Sequence, residues 1–327
     1  MPFVNPTLSQ LHIDRDLTNY SEKIVPDMSQ YVVGRAFPSV PVMKQSDKFH
    51  IYDRAEYNRN TAEEVAPGAP PPYTGQKWSN STYFAKKYGQ GTVVTEEQVV
   101  NEDEAIELRE NATMFVTDKV LKQKEVFVLG EVFKANVWGR NPSAPSATWN
   151  ADTNQGDPIA DVLDEKVALK AETGLEPNSI LMTEQVFNAL LTNERIIDRI
   201  AGMGSTSNPA IVNKMNIAAV FGVSRIEVAG AIQNTAGEGL TASHSYIASG
   251  GNMILYHAPL GMTTGRMTAT AASFFNWTGL IGTNNMGVRV RRYWDEETMC
   301  EKVIAETAYD FQLRGAELGS YMTGLTS

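Results

Sequence analysis

The chain has 327 residues, with 38 acidic against 28 basic side chains and a formal net charge of −10. Its 42% of apolar and 20% of charged residues are an ordinary globular balance, which excludes wholesale disorder, collagen and coiled-coil classes. The length allows about two domains, and the acidity argues against a protein that wraps nucleic acid through its phosphates. A single cysteine, Cys300, excludes an internal disulfide framework and any multi-cysteine metal site.

The sequence carries no sign of export or of membrane insertion. Its first residues lack a basic region followed by an apolar run, so no signal peptide is predicted. No stretch approaches about eighteen consecutive apolar residues, the length expected of a membrane span. We therefore expect a protein that is made in a cytoplasm and has no membrane partner.

Residues 1–45 are expected to form an extended arm. Prolines recur along it, and each fixes φ and biases the preceding residue toward extended geometry. A short helix is predicted over residues 26–33, with Pro26 in its first turn. Because such an arm cannot bury a core of its own, it must lie on another surface.

Residues 46–90 read as a long β-hairpin, with alternating apolar residues in 47–54 and aromatic and β-branched residues in 77–84. A tip rich in proline and glycine, residues 63–72, joins the two strands, and Lys86 and Lys87 are placed on the second. A two-stranded ribbon is marginal alone, so it needs a partner surface. We predict inter-subunit contacts from these ribbon side chains: His50, Tyr52, Arg54, Glu56, Arg59, Glu63, Glu64 and Trp78.

A long amphipathic helix is predicted over residues 102–138, about 55 Å at 1.5 Å per residue. Thr95 and Gln98 have capping-box spacing just before it, and Gly139–Pro142 is expected to end it. After a linker at residues 140–157, the pattern becomes α/β. Helices are predicted over 158–172, 183–191, 194–200 and 211–221, and strands over 177–182, 225–228, 253–257, 287–294 and 299–309, the last two as a hairpin.

The search for catalytic, cofactor-binding and metal-binding motifs finds none. There is no phosphate-binding loop, no nucleophile elbow and no histidine pair at metal-ligand spacing. The acidic run of Glu102, Asp103, Glu104 and Glu107 could pair carboxylates or bind a hard cation, but a solvated helix start is favoured. His244, His257 and Cys300 are assigned structural roles. Three arginines could contact nucleic acid, and this alternative stays open. Ion pairing of these arginines with nearby carboxylates is favoured. The arginines are Arg289, Arg291 and Arg292, and the carboxylates Asp295, Glu296 and Glu297.

The arm, the ribbon and the long helix are longer than a compact monomer needs. Their length favours a protein that assembles with other copies of itself. The order of four groups of residues along the chain is also informative. The groups are Ala36–Val42 with Ser46–Lys48 and Tyr52–Arg54; Ala66–Ala69; Pro177–Thr183 with Val186, Phe187, Leu190 and Ile196–Ile200; and Phe221–Val228. In this order they resemble the arm-to-loop segment, loop tip, axial-domain core and following helix-to-strand step of tailed-bacteriophage major capsid proteins with the Hong Kong 97-type fold.

The resemblance implies an α+β fold. Its parts would be an N-terminal arm (1–45), an extended β-hairpin loop (46–90), a peripheral domain with a long spine helix (91–150), an axial α/β domain (151–286) and a C-terminal β-hairpin of the peripheral domain (287–327). The implied function is structural and not enzymatic. Many copies would form hexamers and pentamers in the icosahedral shell of a virion, enclosing double-stranded DNA without sequence-specific binding and without a cofactor.

Two departures limit what the resemblance implies. The arm begins almost at Met1, so scaffolding, if used, would be a separate protein, as would any decoration protein. The Lys, Asn and Glu that cross-link the family's type member have no match here, so no cross-link is assigned.

Two alternatives stay open. An encapsulin-type nanocompartment shell is the first, although such relatives begin with a cargo-receiving helix and this chain with a proline-broken arm. An acid-catalysed hydrolase using Glu102 to Glu107 is the second, and it would require a pocket that brings a perturbed carboxylate opposite another.

Overall fold

The computed structural model describes residues 28–52, 54–101, 108–145, 147–150, 156–202, 211–259, 268–281 and 287–326. Most of the predicted arm lies outside the described residues. So do the four acidic residues considered as a carboxylate cluster: Glu102, Asp103, Glu104 and Glu107.

Short helices and strands are interspersed along the described chain. The helices are α1 (Val33–Ala36), α2 (Arg54–Tyr57), α3 (Glu96–Val100), α4 (Leu108–Val132), α5 (Pro158–Thr173), α6 (Glu184–Thr192), α7 (Glu194–Ala201), α8 (Lys214–Phe221) and α9 (Thr278–Ile281). The strands are β1 (Ser39–Val42), β2 (Ser46–Tyr52), β3 (Trp78–Phe84), β4 (Lys86–Thr95), β5 (Ser179–Thr183), β6 (Arg225–Ala229), β7 (Ile232–Asn234), β8 (His244–Tyr246), β9 (Met253–Tyr256), β10 (Ser273–Trp277), β11 (Val288–Asp295), β12 (Cys300–Gln312) and β13 (Gly319–Met322). Single 3-10 turns occur at Met28–Gln30 and Ala316–Leu318.

The larger sheet is built around the long strand β12. Strand β4 pairs along one edge of β12, and β11 and β10 pair along the other, with β1 parallel to β10. Helix α4 packs on one face of this sheet, where Val116 and Val120 contact Val288, Val303 and Ala305. Apolar residues at helical spacing on α4 therefore meet alternate residues of the strands, as the two periodicities require.

A second sheet has the strand order β13-β9-β5-β6 and carries the helices α5 to α8. Strands β5 and β9 are buried on both faces, since side chains from both sheet surfaces are covered. Two strand pairings join segments on opposite sides of the domain boundary predicted at residue 286: β10, before it, pairs with β12, and β13, after it, pairs with β9.

The segment before β1 joins the two sheets. The Phe37 ring lies 5.1 Å from that of Tyr256 in the second sheet and 5.2 Å from that of Phe311 in the larger one. The Arg225 guanidinium donates to the Arg35 carbonyl at 2.6 Å, and the Tyr256 hydroxyl donates to the Ala36 carbonyl at 2.8 Å. Residues 31–37, called the strap below, thus fix one sheet relative to the other.

Most elements predicted from the sequence are confirmed. The ribbon strands β2 and β3 pair in register from Ser46 opposite Phe84 to Tyr52 opposite Trp78. The capping box is present, with Thr95 Oγ1 accepting from the Gln98 amide and Gln98 Oε1 accepting from the Thr95 amide. The predicted C-terminal hairpin forms as β11 and β12.

Three local predictions are wrong. In place of a helix over 26–33, the described part has the turn Met28–Gln30 and the one-turn helix α1. Helix α4 ends at Val132 and not near 138, because the Trp138 indole folds back and donates to the Val132 carbonyl at 2.8 Å. Lys86 and Lys87 begin β4, which pairs with β12 and not with β2.

The linker predicted over residues 140–157 also takes part in the core. Trp149 is fully buried, and its backbone amide donates to the Leu325 carbonyl at 2.8 Å. Within the parts of the chain that the structure describes, no helix combines the length and apolarity needed to span a membrane.

Candidate inter-subunit surface

The ribbon of β2 and β3 projects from the body of the subunit. All residues from 58 to 80 are exposed, including the aromatic side chains of Tyr73 (90% exposed) and Trp78 (55%). Large apolar side chains in water are unfavourable for an isolated subunit and typical of surfaces that a partner covers. The tip and the outer part of the ribbon thus form a candidate contact surface.

The base of the ribbon is anchored to its own chain by aromatic contacts. The Tyr83 ring stacks on Phe275 of β10 at 4.6 Å, and the Phe49 ring stacks on the same residue at 5.2 Å. The Phe84 amide donates to Asp310 Oδ2 at 2.9 Å, and the Arg314 guanidinium lies 5.6 Å from the Phe49 ring. One end of the ribbon is therefore held by the larger sheet.

The eight predicted contact residues are spread along the ribbon and do not form one compact cluster. His50 Nδ1 lies 2.6 Å from Asn80 Oδ1 across the two strands. Tyr52 lies opposite Trp78 at the outer end, where α2 begins at Arg54.

The remaining four predicted residues belong to the tip or its approach. Arg59 pairs with Glu56 at 3.9 Å, and Glu63 and Glu64 are exposed. Their role in contacts between copies stays a prediction.

A second charged feature, which the sequence reasoning missed, lies on the larger sheet. Glu306 of β12, with a side chain only 5% exposed, is surrounded by three cations. Its Oε1 lies 2.5 Å from Lys87 Nζ and 2.7 Å from an Arg291 nitrogen, and its Oε2 lies 2.8 Å from an Arg289 nitrogen. Burial acts to raise the pKa of Glu306, but these hydrogen bonds outweigh burial and lower the pKa to about 2. We call these four residues the Glu306 cluster.

The Glu306 cluster corrects one prediction about charge pairing. Arg289 and Arg291 were expected to pair with the acidic turn at Asp295, Glu296 and Glu297, but they pair with Glu306. The register explains the difference, because Arg289 lies directly opposite Glu306. Counting residue pairs back from the hairpin turn could have found this partner.

Ribbon base and Glu306 cluster share one face of the larger sheet. Directly opposed residues point to the same face, and faces alternate along a strand. Val303 and Ala305 face helix α4, so Glu306 faces the other way, as does Asp310, which lies opposite Phe275. The ribbon therefore leaves the subunit on the side of the sheet that carries the cationic cluster.

The strap contacts the other unusual electrostatic group, Glu125 of α4. Its two carboxylate oxygens accept from the Val32 amide at 3.0 Å and the Val33 amide at 3.2 Å. Next to this contact, the Tyr31 hydroxyl donates to Asp118 Oδ1 at 2.5 Å. Burial raises the pKa of Glu125 to about 7, even though both amides favour the charged form.

The neighbouring Lys124 is also buried. Its ammonium lies 4.2 Å from the centroid of the Phe274 ring and 5.3 Å from that of Tyr309. Burial lowers the pKa of Lys124 to about 8. The contact between strap and long helix thus includes two titratable groups whose charged forms are disfavoured.

The residues weighed for catalysis occupy unremarkable positions. His244 is exposed on β8, the His257 Nδ1 lies 2.8 Å from the Glu176 carbonyl, and Cys300 is buried in β12. Among the described residues, no group of three His, Cys, Asp or Glu side chains is arranged to hold a metal ion.

No protein-family model matches this chain, and no curated protein matches it. Solved structures do. A phage-related protein from Bordetella bronchiseptica RB50 has a TM-score of 0.67 at 16% identity, covering 92% of this chain and 93% of its own. The capsid of cyanophage P-SCSP1u has a TM-score of 0.58 at 10% identity, covering 99% and 100%. The capsid of Myoviridae phage XM1 has a TM-score of 0.56 at 10% identity, covering 98% and 99%.

These likenesses extend over nearly the whole of each chain. The chain therefore has the α+β capsid fold of these phage structures, as the resemblance to the Hong Kong 97-type fold predicted.

Proposed function

We propose that this chain is the major capsid protein of a tailed bacteriophage, which self-assembles into an icosahedral shell around double-stranded DNA. The observation that carries the proposal is the exposed ribbon, anchored at its base by aromatic contacts, on a fold shared with phage capsids. A ribbon with exposed aromatic residues stabilises nothing in a lone subunit, but it can cover a neighbour.

The finer parts of the proposal follow from closed-shell geometry. Copies would gather as hexamers and pentamers, with the ribbon of one subunit lying on the next. Assembly would take place in the host cytoplasm, and the mature protein would belong to the virion. Scaffolding and decoration proteins, if used, would be separate proteins, and the net charge of −10 suits a wall that does not bind DNA strongly.

A structural role accounts for the charged groups without a catalytic one. The perturbed carboxylates Glu125 and Glu306 are each engaged by hydrogen-bond donors of their own chain. The encapsulin-type nanocompartment is the weaker alternative, because the capsids cited above are those of phages.

Deletion of residues 60–74 tests the proposal. These residues are exposed and lie beyond the paired strands, so the shortened chain should still fold, with an unchanged melting temperature. We expect the full chain to form closed particles in electron microscopy and size-exclusion chromatography, and the shortened chain to stay as small soluble species. Closed shells of normal size from the shortened chain would overturn the role of the ribbon, and no particles from the full chain would overturn the proposed function.

A further inference from the structure

The Glu306 cluster has more positive than negative charge. Lys87, Arg289 and Arg291 all pair with the single carboxylate of Glu306, which leaves a local excess of two positive charges. The carboxylate is buried, whereas the Lys87 and Arg291 side chains are 45% and 51% exposed. These cations can therefore accept a further acidic partner from outside the chain.

The ribbon tip offers such a partner. Glu63 and Glu64 are adjacent and exposed, and among the described residues no ion pair joins either to a cation of the same chain. The seven residue pairs of the ribbon span about 20 Å at 3.3 Å per step from its base to its outer end, and the tip follows beyond that end. The tip is thus held far from the base, near which its own Lys87 lies.

We propose, resting on the assembly proposed above, that Glu63 and Glu64 of one copy bind the Glu306 cluster of a neighbouring copy. The two surfaces are complementary in charge but lie at different places on the chain, so the contact is head-to-tail. Head-to-tail contacts close into rings when the rotation between copies allows it, and rings are what hexamers and pentamers require.

The layering of the subunit supports the same pairing. Ribbon base and Glu306 cluster lie on the same face of the larger sheet, opposite helix α4. Copies related by rotation about an axis normal to the shell keep their layers at equal height. A ribbon that leaves from the cluster-bearing face of one copy therefore lies at the height of the same face of its neighbour and not of the face covered by α4.

Cross-linking between two differently tagged chains tests the contact directly. One chain carries Glu64→Cys and the other Arg291→Cys, and purified mixed shells are treated with a short bis-maleimide. Cys300 is buried and stays in place. We expect a cross-linked species that carries both tags.

The matched control replaces the adjacent residue, Arg292→Cys, which is also exposed but opposes Val303 on the face toward α4. We expect the doubly tagged species to be lost with this control. Equal cross-linking at 291 and 292, or none at 291 in shells that form, overturns the contact and leaves the proposed function standing. If the unmodified chain forms no shells, the proposed function falls and the contact with it.

A charge test covers the case in which a cysteine variant fails to fold. We expect shells of Glu63→Gln/Glu64→Gln to dissociate at lower salt than unmodified shells, because the ion pairs across the interface are lost. The control Glu296→Gln/Glu297→Gln removes the same charge from the exposed hairpin turn and should behave as the unmodified chain. Identical salt sensitivity of the two double variants would contradict the inference.

Discussion

Tyr83 of the ribbon stacks on Phe275 of the larger sheet, with ring centroids 4.6 Å apart and planes only 6° from parallel. Phe49 on the opposite strand stacks on the same ring at 5.2 Å. Both ribbon strands thus converge on one side chain, which is itself buried. Because residues 58–80 are exposed, the direction in which the ribbon leaves the subunit depends on this aromatic contact.

Replacement of Phe275 by alanine should therefore loosen the ribbon and destabilise the sheet. We expect a loss of about 3 kcal/mol in the free energy of unfolding, typical of a buried Phe→Ala change, measured by urea denaturation. Cleavage of the ribbon in limited proteolysis should also accelerate. Tyr73→Ala is the control, because Tyr73 is exposed and its removal should leave the free energy of unfolding unchanged. Equal effects of the two variants would show that the stack does not hold the ribbon.

Glu125 should make the stability of the subunit depend on pH near neutrality. Its pKa in the fold is about 7, above the ordinary 4.5, so its favourable contribution is present below pH 4.5 and is lost as the pH rises through 7. The full change corresponds to about 3 kcal/mol. We expect Glu125→Gln to remove this slope, because the amide oxygen still accepts from the strap without burying a charge. Urea denaturation at pH 5 and pH 8 measures it, and equal slopes in both proteins would contradict the assignment.

Glu306 should show the opposite dependence. Its pKa of about 2 lies below the ordinary 4.5, so its contribution is present above pH 4.5 and is lost as the pH falls toward 2. Replacing the carboxylate by a neutral amide weakens charge-assisted hydrogen bonds from three cations, so we expect Glu306→Gln to lose about 2 kcal/mol at pH 7. The variant should lose less stability than the unmodified chain on acidification from pH 4.5. Glu296→Gln, on the exposed turn, is the control and should change neither quantity.

The capping box at Thr95 offers a test of local structure. Thr95→Ala removes the hydroxyl that accepts from the Gln98 amide, so we expect a loss of about 1 kcal/mol. Thr95→Ser keeps an equivalent oxygen and should restore most of the stability in the same denaturation experiment. A serine variant as unstable as the alanine variant would show that β-sheet packing of Thr95, and not the cap, is what matters.

Short-range sequence patterns were sufficient to predict much of the secondary structure. Alternation in 47–54 and 77–84 predicted β2 and β3, and the spacing of Thr95 and Gln98 predicted the cap. These features depend on neighbours in sequence, whose geometry the backbone periodicity sets directly. The end of α4 could not be predicted from such patterns. It depends on the hydrogen bond from the Trp138 indole to the Val132 carbonyl, and the loop between these residues has no regular hydrophobic pattern.

The residues of the candidate surface also divide into those that local sequence patterns predicted and those that depend on long-range contacts. The exposed ribbon residues, with Glu63 and Glu64 at the tip, were predicted from composition and breakers. The Glu306 cluster was missed because Lys87 lies on β4, more than two hundred residues from Glu306. Its placement depends on β4 pairing with β12, a long-range contact that the ribbon prediction had assigned to another strand.

Length, charge and pattern by themselves predicted a ribbon and an arm that need a partner, and they determined that this acidic sequence carries no recognisable catalytic motif. Only the tertiary structure decided which face of the larger sheet carries the cations and on which side the ribbon leaves it. The physical reason is that a side chain's face follows from local alternation, whereas the neighbour it meets follows from strand register. Register between distant segments is set by the packing of the whole core.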